Sequence, residues 1–256
     1  MGAATAEARD GLRAELRANA RRLYFSAETV DAFIGEAPLA QVRAVNSLMA
    51  SELALREVHK RDRMMRRARF PQVKSFEGFD WGGVTMPEGY APADLESLSF
   101  IAGAEGFVFH GGTGRGKTHL AIATGIAAVG RGVETRFFEC ASLAMMLDRA
   151  SREGRLEERL RDISRAGLVV IDEFGYVPIT VEGSRALFQV VSDCYERRSL
   201  IITTNIEFSK WGTVLGDDKL AAAMIDRIVH HNRLVEFGGA SHRMENALML
   251  GKGDAR

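Results

Sequence analysis

The sequence has few cysteines and no long apolar run. Its two cysteines, Cys140 and Cys194, lie far apart and have no CxxC or metal-binding spacing. A disulfide framework is therefore not expected, and each is predicted to be a small buried side chain rather than a reactive thiol. No uncharged apolar run approaches the roughly 20 residues of a membrane-spanning helix, and charged residues near the N-terminus argue against a signal peptide. These absences predict a cytoplasmic protein without a membrane partner.

Net charge is also lacking, because 34 basic residues balance 34 acidic ones among the 256. The total therefore says nothing about partners, but the distribution is uneven. Between residues 56 and 74, two acidic residues face eight basic ones, a local charge of +6: Arg56, Lys60, Arg61, Arg63, Arg66, Arg67, Arg69 and Lys74. This basic segment has two interpretations, a DNA contact or a solvated helix face that could also be a subunit interface.

The hydrophobic pattern changes near residue 70. Residues 1–70 contain no convincing strand and are rich in helix-forming residues, so they predict a small helical N-terminal domain for DNA, partner or oligomer contacts. Ser26 can begin one helix, Pro38 interrupts the next, and Pro71 should end a long amphipathic helix. The apolar face predicted for that long helix is made by Leu48, Leu55, Val58 and Met65.

Residues 71–256 are predicted to form an α/β domain. Short apolar runs alternate there with longer amphipathic ones, which is the pattern of a parallel sheet flanked by helices. The five predicted strands are 106–110, 135–139, 168–172, 200–204 and 234–237. The helices predicted between them are 117–129, 142–152, 182–197 and 219–231.

A glycine-rich loop follows the first predicted strand. Residues 111–118, GGTGRGKT, fit the phosphate-binding pattern G-x-x-x-x-G-K-[ST] at every fixed position, between a strand and a helix. Glycines allow consecutive N–H groups to turn inward around phosphates, and the following helix N-terminus attracts the same anion. A glycine-rich turn that matches by chance is the alternative. The predicted nucleotide-binding residues are Gly111, Gly112, Thr113, Gly114, Arg115, Gly116, Lys117, Thr118 and His119, with Asp172.

Two acidic residues end the buried strand at 168–172. Asp172 is predicted to hold Mg²⁺ together with the Thr118 hydroxyl, while Lys117 neutralises the β- and γ-phosphates. Glu173 can then orient and deprotonate the attacking water. A strand that simply ends in polar residues is the alternative. The adjacent glutamate favours hydrolysis of ATP over phosphoryl transfer to a small molecule, since a small-molecule kinase must exclude water.

Three further residues are candidates for the reaction. Asn205 follows another buried strand and could contact the γ-phosphate or the lytic water, although it could also begin a turn. Arg227, near the end of a helix, could be an arginine finger that reaches a neighbouring subunit. Its alternative role is to stabilise the helix C-terminus. Arg243 is a second candidate finger.

With these motifs, residues from about 50 to 250 resemble the IstB-like ATPases, helper proteins of a bacterial insertion-sequence family. The resemblance rests on GKTHLA at 116–121, IDEFGY at 171–176, YERRS at 195–199, ITTN at 202–205 and the stretch 211–231. ARFP at 68–71 and FEGFD at 76–80 match the family's run-in to the ATPase core.

The resemblance implies an AAA+ core with a small helical N-terminal domain. It also implies homo-oligomers assembled on double-stranded DNA with ATP, which stimulate a partner transposase. By the same resemblance Asp172 binds Mg²⁺, Glu173 is the catalytic base, Asn205 is the sensor and Arg227 is the finger. A helicase loader of the DnaC type and a non-hydrolysing DNA scaffold remain the alternatives.

Overall fold

The computed structural model describes residues 2–241 of the chain. These divide into two compact units, which we call the helical unit, up to Arg63, and the sheet unit, from Met64 onward. The helical unit contains helices α1 (Gly2–Arg22) and α2 (Ala27–Glu36) and most of α3 (Leu39–Ala68). Its buried core is formed by Leu16, Ala20, Val30, Ile34 and Val42. Ser26 precedes α2, as the sequence predicted. Pro38 does not interrupt a helix but lies between α2 and α3.

The apolar face predicted for α3 is wrong at three of its four residues, and only Met65 is partly buried. Leu48 is 70% exposed and Leu55 is 50% exposed, and Val58 is exposed as well. The buried face instead includes Asn46, whose side-chain oxygen accepts a hydrogen bond from Asn19 at 2.8 Å. A pattern that counts only apolar residues misses a face in which a buried amide is satisfied by another amide.

α3 also ends before Pro71. The helix stops at Ala68, and Arg69 follows with a φ of 60°. A residue in the left-handed region directly after the last turn is a common way to end a helix. Arg69 therefore ends α3 two residues before Pro71.

The sheet unit is built around six strands: β1 (Val84–Thr85), β2 (Gly106–Gly111), β3 (Thr135–Glu139), β4 (Leu168–Phe174), β5 (Ser199–Thr204) and β6 (Asn232–Phe237). They lie in the order β1-β6-β2-β5-β4-β3. The five predicted strands are all present and are parallel to one another. The sixth, β1, is antiparallel to β6 at the sheet edge and too short to leave a pattern in the sequence.

Seven helices of the sheet unit are described: α4 (Pro92–Ser97), α5 (Lys117–Gly130), α6 (Cys140–Arg152), α7 (Leu156–Ile163), α8 (Val181–Cys194), α9 (Trp211–Leu215) and α10 (Asp218–His231). The four predicted helices are α5, α6, α8 and α10. α8 ends three residues earlier than predicted, since Glu196 takes a left-handed φ of 57°. The short helices α4, α7 and α9 were not predicted.

The strands β4 and β5 are buried on both faces, as their nearly continuous hydrophobicity predicted. Val169 and Ile171 of β4 pack in one apolar layer with α6, α8 and α10, and Leu168 and Val170 pack in the opposite layer with α5. Cys140 and Cys194 are buried and free. Burial raises the pKa of each thiol to about 12, so both stay protonated at neutral pH. No helix within residues 2–241 has the length and apolar character needed to cross a membrane.

Candidate functional site

The glycine-rich loop joins the end of β2 to the start of α5. Gly111, Gly114 and Gly116 have φ values of 149°, 81° and 94°, in the region that L side chains rarely adopt. A Cβ at Gly111 would lie 2.2 Å from the carbonyl oxygen of Phe237, on the neighbouring strand β6. Glycine is therefore required at Gly111 both by conformation and by the close approach of a backbone atom.

Lys117 is the first residue of α5, and its side chain turns back into the loop. Its Nζ donates hydrogen bonds to the carbonyl oxygens of Gly111 and Gly112, both at 2.7 Å. The side chain is buried with its charge inside the loop. A positive charge inside a loop whose backbone N–H groups can turn inward is an arrangement that attracts a phosphate group.

Asp172 lies beside the next residue of α5. Thr118 Oγ1 donates a hydrogen bond of 3.0 Å to Asp172 Oδ1, although the two residues are 54 positions apart. Burial raises the pKa of the Asp172 carboxyl group, and hydrogen bonds from Thr203 and Thr118 act in the opposite direction. A hydroxyl and a carboxylate oxygen in contact are ligands of the kind that Mg²⁺ prefers, so these residues fit the predicted ion.

Glu173 lies in a β-bulge of β4. Ile171 pairs with Ile202 of β5 and Phe174 pairs with Thr204, so Asp172 and Glu173 together lie opposite the single residue Thr203. Glu173 has a φ of 59°, which is uncommon for a residue other than glycine. The bulge therefore places the two acidic residues next to each other opposite Thr203.

Asn205 follows β5 directly and is exposed. It lines a small cavity of about 40 Å³ together with Thr113, Lys117, Thr118 and Glu173. The structure therefore brings the predicted residues Lys117, Thr118, Asp172, Glu173 and Asn205 to one place. We call this place the carboxyl edge, because β2, β4 and β5 all end there.

A larger cavity of about 620 Å³ lies beside the loop. One wall is the stretch from Gly114 to His119, and the other includes Gln72, Lys74 and Phe79. His119 Nε2 lies 2.9 Å from the carbonyl oxygen of Ser75, and its ring lies 5.2 Å from that of Phe79. Phe76, Phe79 and Trp81 all pack on the apolar layer, and Phe79 also lines the cavity.

Arg115, at one of the four variable positions of the loop pattern, points toward β6. Its Nη1 donates a hydrogen bond of 3.1 Å to the carbonyl oxygen of Phe237, and the side chain also lines the larger cavity.

Arg227 is not among the residues that line either cavity. α10 leads directly into β6, so Arg227 lies near the amino ends of the strands, which we call the amino edge. Its guanidinium lies 4.7 Å from the centre of the Phe188 ring and donates to the carbonyl oxygen of Ala223 at 2.9 Å. Within one chain the structure therefore keeps Arg227 apart from Lys117 and Glu173. Arg243 lies outside the described residues.

Two members of the basic segment have neighbours in the sheet unit. Arg67 forms ion pairs with Asp162 at 2.9 Å and with Glu134 at 3.3 Å. Lys74 lines the larger cavity. Arg66 and Arg69 are exposed. The local positive charge is thus partly used inside the protein, which the sequence could not reveal because Glu134 and Asp162 are distant along the chain.

Thr203 is the residue of this site that sequence reasoning missed. Its hydroxyl accepts a hydrogen bond of 2.9 Å from the N–H of Glu173 and donates one of 2.5 Å to Asp172 Oδ1. The only available signal was a small polar residue at the end of a buried strand, and that signal drew attention to Asn205 instead.

Comparison with known sequences decides the family. The profile of the IstB-like ATP binding protein family matches residues 22–249. The chain belongs to this family. It is 38% identical over 208 residues to a protein of Bacillus thuringiensis subsp. berliner named for ATP binding and for insertion sequence IS232, covering 81% of this chain and 83% of that one. A protein of Geobacillus stearothermophilus, named likewise for IS5376, is 34% identical and matches 77% of this chain and 78% of its own length.

Solved structures give the fold of this family member. The replication initiator DnaA bound to AMPPCP and single-stranded DNA superposes with a TM-score of 0.54 at 18% identity, over 73% of this chain and 58% of that one. DnaI superposes with a TM-score of 0.50 at 17% identity, over 64% of this chain and 90% of that one. The fold is therefore the P-loop fold of the AAA+ proteins, as the sequence predicted.

Proposed function

We propose that this protein is an AAA+ ATP hydrolase that assembles on double-stranded DNA and assists a partner transposase. Family membership supports ATP binding, and one observation carries the step to hydrolysis. Thr118, Asp172 and Glu173 meet at the end of β4, next to the loop that holds the Lys117 charge. A phosphate cradle, a pair of oxygen ligands and a further carboxylate are the parts that hydrolysis of a nucleoside triphosphate requires.

The loop and its lysine would bind the phosphates. N–H groups of residues 112–118 and the N-terminus of α5 attract the negative charge, and Lys117 would exchange its contacts with the loop carbonyls for phosphate oxygens. The larger cavity, with Phe79 in its wall, is the proposed adenosine site. Thr118 and Asp172 would hold Mg²⁺, which neutralises the phosphate charge that develops during the reaction.

Glu173 is the proposed general base. A water oxygen attacks the γ-phosphorus, its proton passes to the Glu173 carboxylate, and the bond to the β–γ bridging oxygen breaks to give ADP and phosphate. Asn205 lies at the same small cavity and would orient the water or the γ-phosphate.

Arg227 is the proposed arginine finger, acting on the site of a neighbouring subunit in a homo-oligomer. Its position at the amino edge favours this arrangement, because it is separated from its own loop by the sheet. The packing on Phe188 and the bond to Ala223 would hold the guanidinium ready for that neighbour.

The proposed DNA and transposase partners are supported by observations other than the geometry of the ATP site. The relatives are named for insertion sequences, and the exposed residues of the basic segment offer positive charge for phosphates. Residues 1–70 are the proposed domain for DNA, partner and oligomer contacts, and residues 71–256 the proposed ATPase domain. The cytoplasm, where free thiols such as Cys140 and Cys194 persist, is the proposed compartment.

Glu173→Gln tests the proposed hydrolysis. With Mg²⁺, ATP and duplex DNA, the variant should bind ATP like the wild type and lose turnover by about 10²–10⁴-fold, the contribution of a positioned base. Glu182→Gln, which neutralises an exposed glutamate of α8, is the matched control and should keep its turnover. Undiminished hydrolysis by Glu173→Gln would remove Glu173 as the base. A wild-type protein that binds ATP and DNA without turnover would instead favour the non-hydrolysing scaffold.

The partner is tested separately. A strand-transfer assay with the transposase encoded beside this protein should gain activity when wild-type protein and ATP are added. Stimulation of helicase loading, without any effect on strand transfer, would replace the transposase by a replicative helicase.

A further inference from the structure

Thr203 is almost fully buried at the end of β5, opposite the bulge of β4. Because two residues of β4 face one residue of β5, the regular ladder of backbone hydrogen bonds is interrupted at Asp172 and Glu173. The hydroxyl of Thr203 takes the place of a backbone partner there. It accepts from the N–H of Glu173 at 2.9 Å and donates to Asp172 Oδ1 at 2.5 Å.

This double contact uses a property that few side chains have. A hydroxyl group donates one hydrogen bond and accepts others at the same atom, so one side chain can hold a backbone N–H and a carboxylate together. The backbone of Glu173 is in the left-handed region, with a φ of 59°, and an uncommon conformation of this kind persists only when its surroundings fix it. Thr203 is the side chain that bonds both acidic residues of the bulge.

Thr204, the next residue, has a different role. Its hydroxyl donates to the carbonyl oxygen of Phe174 at 2.9 Å and accepts from the N–H of Ile206, beyond the bulge. Thr204 therefore holds the chain after the bulge and does not touch the carboxylate of Asp172.

We propose that Thr203 is a positioning residue, which sets the directions of Asp172 and Glu173 through one hydroxyl group and thereby couples Mg²⁺ binding to hydrolysis. The inference rests on the proposed function, in which Asp172 holds Mg²⁺ and Glu173 is the base. Groups that orient a metal ligand typically contribute about 10–100-fold to metal affinity or activity.

Thr203→Val tests the hydroxyl at nearly constant shape, and Thr203→Ser restores it. The matched control is Thr124→Val, because Thr124 is equally buried and its hydroxyl bonds only the carbonyl oxygen of Leu120, within α5. Three quantities are measured for each variant: hydrogen exchange of the Glu173 amide without nucleotide, ATP affinity with and without Mg²⁺, and turnover.

We expect Thr203→Val to lose exchange protection at Glu173 and to bind ATP without Mg²⁺ within about threefold of wild type. Its Mg²⁺-dependent gain in affinity and its turnover should each fall by about 10–100-fold. Thr203→Ser and Thr124→Val should stay close to wild type in all three quantities. If Thr203→Val does not fold, Thr203→Ala replaces it with the same expectations.

Two results would overturn the inference. Turnover of Thr203→Val equal to that of Thr124→Val would show that the hydroxyl has no special role, and Thr203→Ser as impaired as Thr203→Val would show that only the methyl packing matters. If the wild type itself has no turnover, the proposed function fails, and exchange at Glu173 together with the Mg²⁺ effect on ATP affinity still decides the role of Thr203.

Discussion

The carboxyl edge and the amino edge of the same sheet are built in different ways. At the carboxyl edge, polar side chains from separate elements hold one another, since Thr118 and Thr203 both donate to Asp172. At the amino edge, Arg227 is held by an aromatic ring and by its own helix backbone. The first edge gathers several of the proposed site residues, whereas Arg227 at the second edge is separated from them by the sheet. In the proposed function, the two edges would work together only when neighbouring subunits bring them face to face.

Lys117→Ala breaks the carboxyl edge most severely. The variant loses the lysine charge that lies inside the loop. Each charge-assisted bond that this lysine would make to a phosphate oxygen contributes about 1.5–3 kcal/mol, so ATP affinity should fall by about 100-fold or more. Isothermal titration calorimetry measures this directly. Lys219→Ala, an exposed lysine of α10, should leave the affinity unchanged. Equal ATP affinity of Lys117→Ala and wild type would contradict the assignment of residues 111–118 as a phosphate-binding loop.

Arg227→Ala tests whether the amino edge acts on another subunit. The variant should bind ATP normally and lose turnover by about 10³-fold, the lower range for an arginine finger. Mixing it with Lys117→Ala decides the direction of action, because a Lys117→Ala subunit can lend its intact Arg227 to an intact loop. Recovered hydrolysis in the mixture supports action between subunits, whereas a mixture as inactive as its components argues that Arg227 serves its own chain.

Gly111→Ala and Gly130→Ala compare a glycine that lies against a backbone atom with a glycine that has open space around it. A Cβ at this position would meet the Phe237 carbonyl oxygen at 2.2 Å, so the change should lower the free energy of unfolding by about 2–3 kcal/mol. Gly130→Ala, at the end of α5, meets nothing within 4 Å and should change it by at most about 1 kcal/mol, toward greater stability. Chemical denaturation measures both. Two equally stable variants would contradict the described path of the loop.

The smallest effects are expected in the basic segment, where some residues are proposed to contact DNA and Arg67 forms ion pairs within the protein. Replacing the exposed residues Lys60, Arg61 and Arg63 by Gln should flatten the salt dependence of DNA binding by about 0.9 in logarithmic slope for each DNA phosphate that is no longer neutralised. Arg67→Gln should instead lower stability by about 1 kcal/mol or less, through its ion pairs with Glu134 and Asp162, with little change in slope. The reverse pattern would place the DNA-binding surface at Arg67.

Local sequence was enough for the parts of the site that local chemistry determines. The loop from Gly111 to Thr118 needs glycines at fixed spacing, and the buried strands need continuous apolar runs. The place of the loop between β2 and α5 and the presence of these strands were therefore predicted correctly. The β-bulge could not be predicted, because it depends on how β4 and β5 pair over a separation of about 30 residues. The contacts of Thr203, the ion pairs of Arg67 and the burial of Asn46 in α3 could not be predicted for the same reason.

Electron microscopy of the Glu173→Gln variant with ATP, Mg²⁺ and duplex DNA tests the central claim most directly. Slow turnover should trap the assembled state, so the protein should form oligomers on the duplex with each Arg227 at the glycine-rich loop of the next subunit. Monomers that bind ATP away from DNA, or oligomers in which Arg227 stays on Phe188 far from every loop, would contradict the account.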